Sequence, residues 1–193
     1  MYFGVNGGQP ITGIHEARSV ADAVIDGSTD NDFFGSEVEM VDDINGDGIT
    51  DLVVGAMFAG TYGSVYVFHG GVEFAVTIAD DAVASISGAC DYCAIGEYIV
   101  SLGDYNADGY GDFAFDENLA NENKGNTYIF FGGNSTIEGT LSYVDADRTI
   151  TGITIGDYLP TALAVGDIDN DGAQDLLVSA PGVIAYEGID LDQ

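Results

Sequence analysis

The stretch Asp43-Ile44-Asn45-Gly46-Asp47-Gly48-Ile49-Thr50-Asp51 joins two short apolar segments and recurs twice along the chain. The second copy runs Asp104-Tyr105-Asn106-Ala107-Asp108-Gly109-Tyr110-Gly111-Asp112, and the third runs Asp167-Ile168-Asp169-Asn170-Asp171-Gly172-Ala173-Gln174-Asp175. Their first aspartates lie 61 and 63 residues apart, so the internal period is about 62 residues. A fixed period of this kind indicates an array of similar units that pack against their neighbours.

Each copy follows the pattern Asp-x-(Asp/Asn)-x-Asp-Gly-x-x-Asp, whose positions 1, 3 and 5 place side-chain oxygens on one side of a tight turn. Glycine at position 6 permits a positive φ, the carbonyl of position 7 can then face inward, and the aspartate at position 9 closes the shell. Such oxygen-only ligand sets suit Ca²⁺, which takes ~6–8 oxygens. The predicted ligands of three Ca²⁺ sites are Asp43, Asn45, Asp47, Ile49, Asp51; Asp104, Asn106, Asp108, Tyr110, Asp112; and Asp167, Asp169, Asp171, Ala173, Asp175.

Two other interpretations of these loops are weaker. An EF-hand is excluded because its twelfth position should be glutamate and is Val54, Phe115 or Val178 here. Polar Asx-type turns would explain one such loop, since Asp, Asn and Gly favour turns. Three copies in register favour a cation, because carboxylates packed so closely repel one another unless a cation lies among them.

The segments around each loop have the composition of β-strands. A short strand precedes the loop, an apolar strand follows it, a third strand mixes small, β-branched and aromatic residues (63–68 and 125–131), and a weaker fourth strand ends at glycine (84–88 and 148–152). No window has a sustained helical period. The sequence therefore predicts an all-β fold of about three four-stranded β-propeller blades. A β-sandwich is the alternative, but it would not explain an identical loop three times.

These residues resemble FG-GAP repeats, the units of the integrin alpha N-terminal β-propeller and of many microbial extracellular proteins. Phe34-Gly35, the loop 43–51, the strand 51–56 and the segment 63–68 look like one complete repeat. The resemblance implies a calcium ion between the first and second strands of each blade, and roles in adhesion or extracellular scaffolding. The middle repeat departs from the pattern, because Phe115-Asp116-Glu117 stands where Gly-Ala-Pro is usual.

The period divides the chain into four predicted parts: 1–32, the last strands of a preceding blade; 33–93 and 94–154, two blades with calcium loops 43–51 and 104–112; and 155–193, a partial blade with loop 167–175. Propellers close with ~4–8 blades. Two expectations follow: the chain is a fragment of a larger propeller, or chains associate by sharing a blade. Unpaired sheet edges would promote aggregation, which disfavours a solitary monomer.

The charge balance excludes several classes of partner. The 193 residues include 33 acids and 3 bases, for a formal net charge of −30. Three bases cannot neutralise a nucleic-acid backbone, and a strongly acidic chain is repelled by anionic membranes. No apolar run reaches the ~18 residues that a membrane-spanning helix needs. At 46% apolar residues the chain is nevertheless rich enough to form a core.

Two covalent features are predicted. Cys90 and Cys93 are expected to form a local disulfide in an oxidising compartment. A redox pair would need a βαβ setting, and zinc would need two further ligands from a chain with two histidines. Asn134-Ser135-Thr136 is an N-glycosylation sequon, so Asn134 is a predicted acceptor if the chain is secreted.

The sequence contains no recognisable nucleophile motif or phosphate loop, and its most regular carboxylates are assigned to metal. We therefore expect a non-catalytic, calcium-binding, integrin-like module for extracellular or cell-surface adhesion or assembly, whose ligand is a protein or a carbohydrate. The alternatives are the accessory propeller of a secreted enzyme and the structural subunit of an extracellular filament built by blade exchange.

Overall fold

The computed structural model describes residues 24–71, 77–133, 137–181 and 183–187, with backbone only for 77–78 and 183–187. Within these ranges the chain forms fourteen strands: β1 (Ile25–Asp26), β2 (Phe34–Val41), β3 (Asp51–Ala56), β4 (Ser64–Phe68), β5 (Thr77–Ile78), β6 (Ala84–Ser87), β7 (Ile95–Gly103), β8 (Asp112–Glu117), β9 (Asn126–Phe130), β10 (Gly139–Ser142), β11 (Arg148–Thr151), β12 (Ala162–Gly166), β13 (Asp175–Ala180) and β14 (Val183–Glu187). In these ranges the helical structure consists of 3-10 turns at Ala79–Asp81 and Tyr143–Asp145 and one distorted turn, α1 (Ala120–Asn123). No helix in the described ranges is long and apolar enough to span a bilayer.

Consecutive strands pair antiparallel to give one sheet per repeat. The first sheet contains β2, β3, β4 and β6, the second contains β7, β8, β9 and β11, and the third contains β12, β13 and β14. The prediction of a mostly β structure with one strand on each side of every acidic loop is confirmed. The predicted third and fourth strands of the first two repeats are also confirmed as β4, β6, β9 and β11.

The aromatic- or Ile-Gly step that opens each repeat is a break in strand pairing. Gly35 has φ 84° and Gly96 has φ 69°, a left-handed conformation that glycine adopts without steric cost. The register of β2 on β3 shifts between Phe34 and Val38, and that of β7 on β8 shifts between Ile95 and Ile99. The Gly step therefore lets the first strand bulge and bend before it meets the acidic loop.

Parallel strands link the first and second repeats to the strands that precede them, which sequence reasoning did not anticipate. β10 leaves the second repeat and pairs in parallel with β6, the outer strand of the first sheet. Gly139 donates its N–H to the carbonyl of Val83 at an N···O distance of 2.7 Å. β5 pairs in the same way with β1, so successive repeats are joined by backbone hydrogen bonds as well as by side chains.

The main core lies between the first and second sheets. Small β-branched side chains of the first sheet face a cluster of large rings on the second, in which Phe115 packs 5.5 Å from Phe130 and 5.6 Å from Tyr128, centroid to centroid. A second core lies between the second and third sheets and includes Ala114, Ile129 and Leu176. The second sheet is thus apolar on both faces, as expected for a sheet that lies between two others.

Replacing Phe115 by alanine should destabilise the chain by about 3–5 kcal/mol, because it empties the centre of the first intersheet core. Urea unfolding followed by circular dichroism measures this change. Val144→Ala is the control, since Val144 is 69% exposed and its truncation should change the stability by less than about 0.5 kcal/mol. Equal effects of the two substitutions would contradict the assignment of this core.

Candidate metal centre

The three acidic loops occupy the same position in the three sheets. Each connects the first strand of a sheet to the second: β2 to β3, β7 to β8, and β12 to β13. All fifteen predicted ligand residues lie in described parts of the chain. Strands and not helices flank every loop, which agrees with the exclusion of an EF-hand.

The loops share one backbone conformation. Position 6 has positive φ in each copy, at 85° for Gly48, 95° for Gly109 and 94° for Gly172, as predicted. Position 4 is also left-handed, and there the second and third copies hold Ala107 and Asn170 in place of glycine, with φ 60° and 63°. Non-glycine residues adopt this conformation at a cost of roughly 1 kcal/mol or more, so the surrounding loop must impose it.

The aspartate at position 1 organises the turn. Its Oδ1 accepts the N–H of position 5 at 2.9 Å in the first loop, 2.8 Å in the second and 3.1 Å in the third. Its Oδ2 accepts the N–H of position 6 at 2.7, 3.0 and 3.1 Å. The carboxylates of Asp43, Asp104 and Asp167 are therefore held against the backbone of their own loops, although Asp104 and Asp167 remain exposed to solvent.

Positions 3, 5 and 7 continue the same pattern. The side-chain oxygen of position 3 also accepts the N–H of position 5, at 2.9, 3.0 and 3.1 Å. The carboxylate of position 5 accepts the N–H of position 7, at 2.9 Å from Ile49, 3.0 Å from Tyr110 and 2.7 Å from Ala173. Oxygens of positions 1 and 3 thus converge on one N–H, which brings two predicted ligands together in every loop.

The aspartate at position 9 is buried and joins three segments. Asp51 is 1% exposed, and Asp112 and Asp175 are 0% exposed. Oδ2 of Asp51 accepts the N–H of Ile44 at 2.8 Å, and its Oδ1 accepts the N–H of Gly70, just after β4, at 2.7 Å. This residue therefore connects the acidic loop to the end of the third strand, a structural role that the sequence did not indicate.

Asp112 repeats this arrangement. Its Oδ2 accepts the N–H of Tyr105 at 2.8 Å and its Oδ1 accepts the N–H of Gly132 at 2.8 Å. Burial raises the pKa of Asp112 to about 6, and the N–H donors, led by Gly132, oppose the rise. Burial likewise raises the pKa of Asp51. A cation beside these carboxylates would favour their ionised forms.

The third loop brings three carboxylates closest together. Asp167, Asp169 and Asp175 each offer an oxygen within 4.8 Å of the others, a group that can hold a metal ion. Asp171 does not belong to this group. Oδ1 of Asp175 is buried without a hydrogen-bond partner among the described residues. In the first two loops asparagine replaces the aspartate of position 3, so an amide oxygen takes the place of one carboxylate.

Neighbouring loops contact each other through the backbone. Gly111 donates its N–H to the carbonyl of Asp43 at 2.7 Å, and Gly133 donates to the carbonyl of Ile44 at 2.8 Å. The ring of Tyr110 packs against Gly46 so closely that an added Cβ there would lie 2.6 Å from it. The conformation of the first loop is therefore coupled to the second repeat.

The cysteines lie at the opposite end of the first two sheets. A disulfide joins Cys90 and Cys93, whose Cα atoms are 5.5 Å apart. Buried Glu117 approaches this loop and accepts the N–H of Ala89 at 2.6 Å. The three side chains Cys90, Cys93 and Glu117 lie together, but the disulfide uses both sulfurs. The predicted glycan acceptor, Asn134, lies outside the described residues.

An exposed aromatic group near the disulfide was not anticipated from the sequence. Phe33, Phe58 and Tyr92 line a cavity of about 400 Å³ together with Asp91, and Phe58 is 5.0 Å from Phe33 and 6.2 Å from Tyr92, centroid to centroid. Tyr92 is 77% exposed. These residues are far apart in sequence and have no common spacing, so no sequence pattern could have grouped them. The three rings form one exposed apolar cluster on this end of the first sheet.

Comparison with known proteins agrees with this repeat architecture. The FG-GAP repeat family matches residues 34–68 and 159–189, which contain the first and third acidic loops with their flanking strands. Integrin alpha-PS5 of Drosophila melanogaster is 32% identical over 169 residues, which cover 84% of this chain and 16% of that protein. The chain carries FG-GAP repeats. It is distantly homologous to integrin alpha chains over most of its length.

Two further integrin alpha chains have similar sequence identity to this chain and cover a similar share of it. Integrin alpha-4 of Xenopus laevis is 32% identical over 154 residues, 77% of this chain and 14% of that protein. Integrin alpha-IIb of Mus musculus is 33% identical over 162 residues, 78% of this chain and 15% of that protein. The chain therefore spans about one sixth of the length of these relatives. The second repeat lies outside the two matched segments, and it has Asp116 and Glu117 where the first repeat has Gly55 and Ala56.

Alanine substitutions of Asp47 and Asp51 should destabilise the metal-free chain to different extents. Asp51→Ala leaves the buried N–H groups of Ile44 and Gly70 without acceptors and should cost about 2–5 kcal/mol in excess chelator. Asp47→Ala removes an exposed carboxylate and should cost less than about 1 kcal/mol under the same conditions. Urea unfolding in chelator measures both, and equal costs would contradict the structural role of position 9.

Proposed function

We propose that this chain is a calcium-binding, integrin-like β-propeller module that acts in extracellular adhesion or assembly and carries out no catalysis. The observation that carries the proposal is the threefold repetition of one loop geometry. In each copy, positions 1 and 3 converge on the N–H of position 5, and the aspartate of position 9 is buried beneath them. Three independent turns would have no reason to share this arrangement unless each serves the same purpose.

Calcium is the cation that suits this ligand set. The side chains offer only carboxylate and amide oxygens, and the carbonyls of Ile49, Tyr110 and Ala173 are proposed to complete the shells. Ca²⁺ accepts such oxygens in flexible geometry, whereas Mg²⁺ demands a tighter octahedron. The loops contain ten aspartates, and three bound Ca²⁺ ions would reduce the formal charge from −30 to −24.

A propeller is supported by the way the sheets follow one another. The second and third sheets each pack the same face on the sheet that precedes them, and the second sheet is apolar on both faces. Radial continuation of this packing produces a ring. We propose that further blades close the ring, supplied either by a longer chain or by a second chain that shares a blade.

Extracellular placement and adhesion are proposed from two features. The Cys90–Cys93 disulfide persists in oxidising compartments, and the distant homologues are integrin alpha chains. The exposed aromatic group at Phe33, Phe58 and Tyr92 is the kind of surface that a binding module presents. The partner is proposed to be a protein or carbohydrate outside the cell.

Removal of calcium should lower the melting temperature by about 10 °C or more. Bound ions stabilise the folded chain by mass action, about 2.7 kcal/mol per site at a free concentration one hundred times Kd. Differential scanning calorimetry with saturating CaCl₂ and with excess EDTA measures the difference. Readdition of Ca²⁺ should restore the original melt, and a melt unaffected by EDTA would contradict calcium binding at these loops.

Single substitutions should remove calcium sites one at a time. Asp47→Ala, Asp108→Ala and Asp171→Ala each delete the position 5 carboxylate of one loop, so each variant should bind one calcium fewer by isothermal titration calorimetry. Asp30→Ala is the matched control, because Asp30 is an exposed acid outside the loops. A stoichiometry that is the same in all four variants and the wild type would contradict the assignment.

A further inference from the structure

The end of β8 holds two adjacent buried acids, which is unusual for the interior of a sheet. Asp116 and Glu117 are both 0% exposed. They occupy the positions that Gly55 and Ala56 occupy in the first repeat. Successive side chains of a strand point to opposite faces, so the two carboxylates serve different intersheet spaces.

Glu117 is fully bonded within the protein. One carboxylate oxygen accepts the N–H groups of Ala89 at 2.6 Å and Cys90 at 3.3 Å, and the other accepts the hydroxyl of Tyr128 at 2.8 Å. Asn126 in turn donates its side-chain N–H to the Tyr128 hydroxyl at 2.8 Å. These contacts account for the burial of Glu117 without any added species.

Asp116 is only half bonded. Its Oδ1 accepts the N–H of Tyr98 at 2.8 Å, but its Oδ2 is buried and has no partner among the described residues. Thr127 lies directly opposite Asp116 in the β8–β9 ladder and is 0% exposed. Its hydroxyl oxygen is likewise buried and without a partner within the described chain. Opposed side chains have Cβ atoms about 5 Å apart.

A third unsatisfied oxygen lies beyond the end of the same strand. Oδ1 of Asn118 is buried with no partner in the described part of the protein, while its side-chain N–H group donates to Glu97 at 2.9 Å. Asn118 lies in the turn that follows β8, and its hydrogen bond to Glu97 places it beside the segment that Asp116 also contacts through Tyr98. The Glu97 carboxylate is close enough to Asp116 to affect its ionisation.

We propose that Asp116, Thr127 and Asn118, with Glu97 beside them, bind a divalent cation that is separate from those of the acidic loops. Asp116 and Thr127 are cross-strand partners on the same face of the sheet, and neither buried oxygen has a partner among the described residues, so a third species can satisfy both. Buried polar atoms left unbonded destabilise the folded chain. The set consists of carboxylate, hydroxyl and amide oxygens, which are ligands for a hard cation.

A cation satisfies this set better than a buried water molecule. A water has two protons to donate to the three unbonded oxygens and brings no positive charge. Burial raises the pKa of Asp116 to about 8; the Tyr98 N–H opposes the rise, the Glu97 carboxylate adds to it, and the backbone N–H groups of Glu97 and Asp116 oppose it. Without a cation, the ionised form of Asp116 is therefore disfavoured at neutral pH. A cation removes this penalty, because it stabilises both ionised carboxylates. Half-buried Glu97 gives the site a route to solvent.

The site is distinct from the acidic loop of the same repeat. Asp112 and Asp116 lie at opposite ends of β8, four residues and roughly 13 Å apart along the strand. Asp116 lies on the sheet face that also carries Ala114, which packs toward the third sheet. A cation there would fix the β8–β9 end of the second sheet to the segment around Glu97 and Tyr98 at the start of its first strand.

Counting metal in variants tests the proposal. The wild type, Asp116→Asn, Thr127→Val and the control Glu117→Gln are equilibrated with CaCl₂ alone and examined by native mass spectrometry. We expect Asp116→Asn and Thr127→Val each to bind one calcium fewer than the wild type, and Glu117→Gln to bind the same number. In EDTA, Thr127→Val should be at least as stable as the wild type, because a methyl group replaces an unsatisfied hydroxyl.

Equal calcium counts in the wild type and in both site variants would overturn the proposal. The unbonded oxygens of Asp116, Thr127 and Asn118 would then be assigned to a bound water molecule. Thr127→Val decides the matter alone if Asp116→Asn does not fold, since valine conserves the shape of threonine. The result is independent of the acidic loops, because empty loops would lower the count of all four proteins equally. Failure of calcium binding at the loops and failure of this site are therefore distinguishable.

Discussion

The buried aspartate at the end of each acidic loop is the constraint on which the rest of the structure depends. A carboxylate removed from water requires hydrogen bonds or a cation. Asp51 and Asp112 obtain their hydrogen bonds from the start of their own loop and from a glycine after the third strand, at 2.7–2.8 Å. Each therefore fixes three strands of its sheet at one end, and the flat faces of the sheets can then stack.

The same constraint concentrates negative charge where the loops meet. The exposed carboxylates at positions 1 and 5 are held by backbone N–H groups, which neutralise part of their charge but cannot cancel it. Charges held this close in a fixed loop favour a bound cation over bulk counterions, since the loop has already lost the conformational entropy that binding would otherwise cost. Backbone hydrogen bonds from Gly111 and Gly133 to the first loop then couple the conformation of that loop to the second repeat.

Interactions between residues close in sequence made the acidic loops and most of the strands predictable. The spacing of Asp and Gly sets the loop conformation within nine residues, and short runs of apolar, β-branched and aromatic residues favour the strands, so both could be predicted from sequence. The partner of Asp51 could not, because Gly70 lies 19 residues further along the chain. The parallel pairing of β10 with β6 was missed for a similar reason: Gly139 and Ala84 are brought together by the packing of two sheets, and neither short strand has a distinctive pattern.

Comparison of the first and second repeats shows why residue identity varies more at one end of the sheets than at the other. At Gly55 any Cβ would collide with the backbone of Gly96, so the first intersheet contact requires glycine there. The equivalent residue of the second sheet is Asp116, so the second contact leaves room for a carboxylate and must supply something to bond it. The loop end repeats because every sheet needs its buried aspartate. The opposite end, which also carries the disulfide and the exposed ring of Tyr92, has no such common requirement and can acquire separate binding chemistry in each repeat.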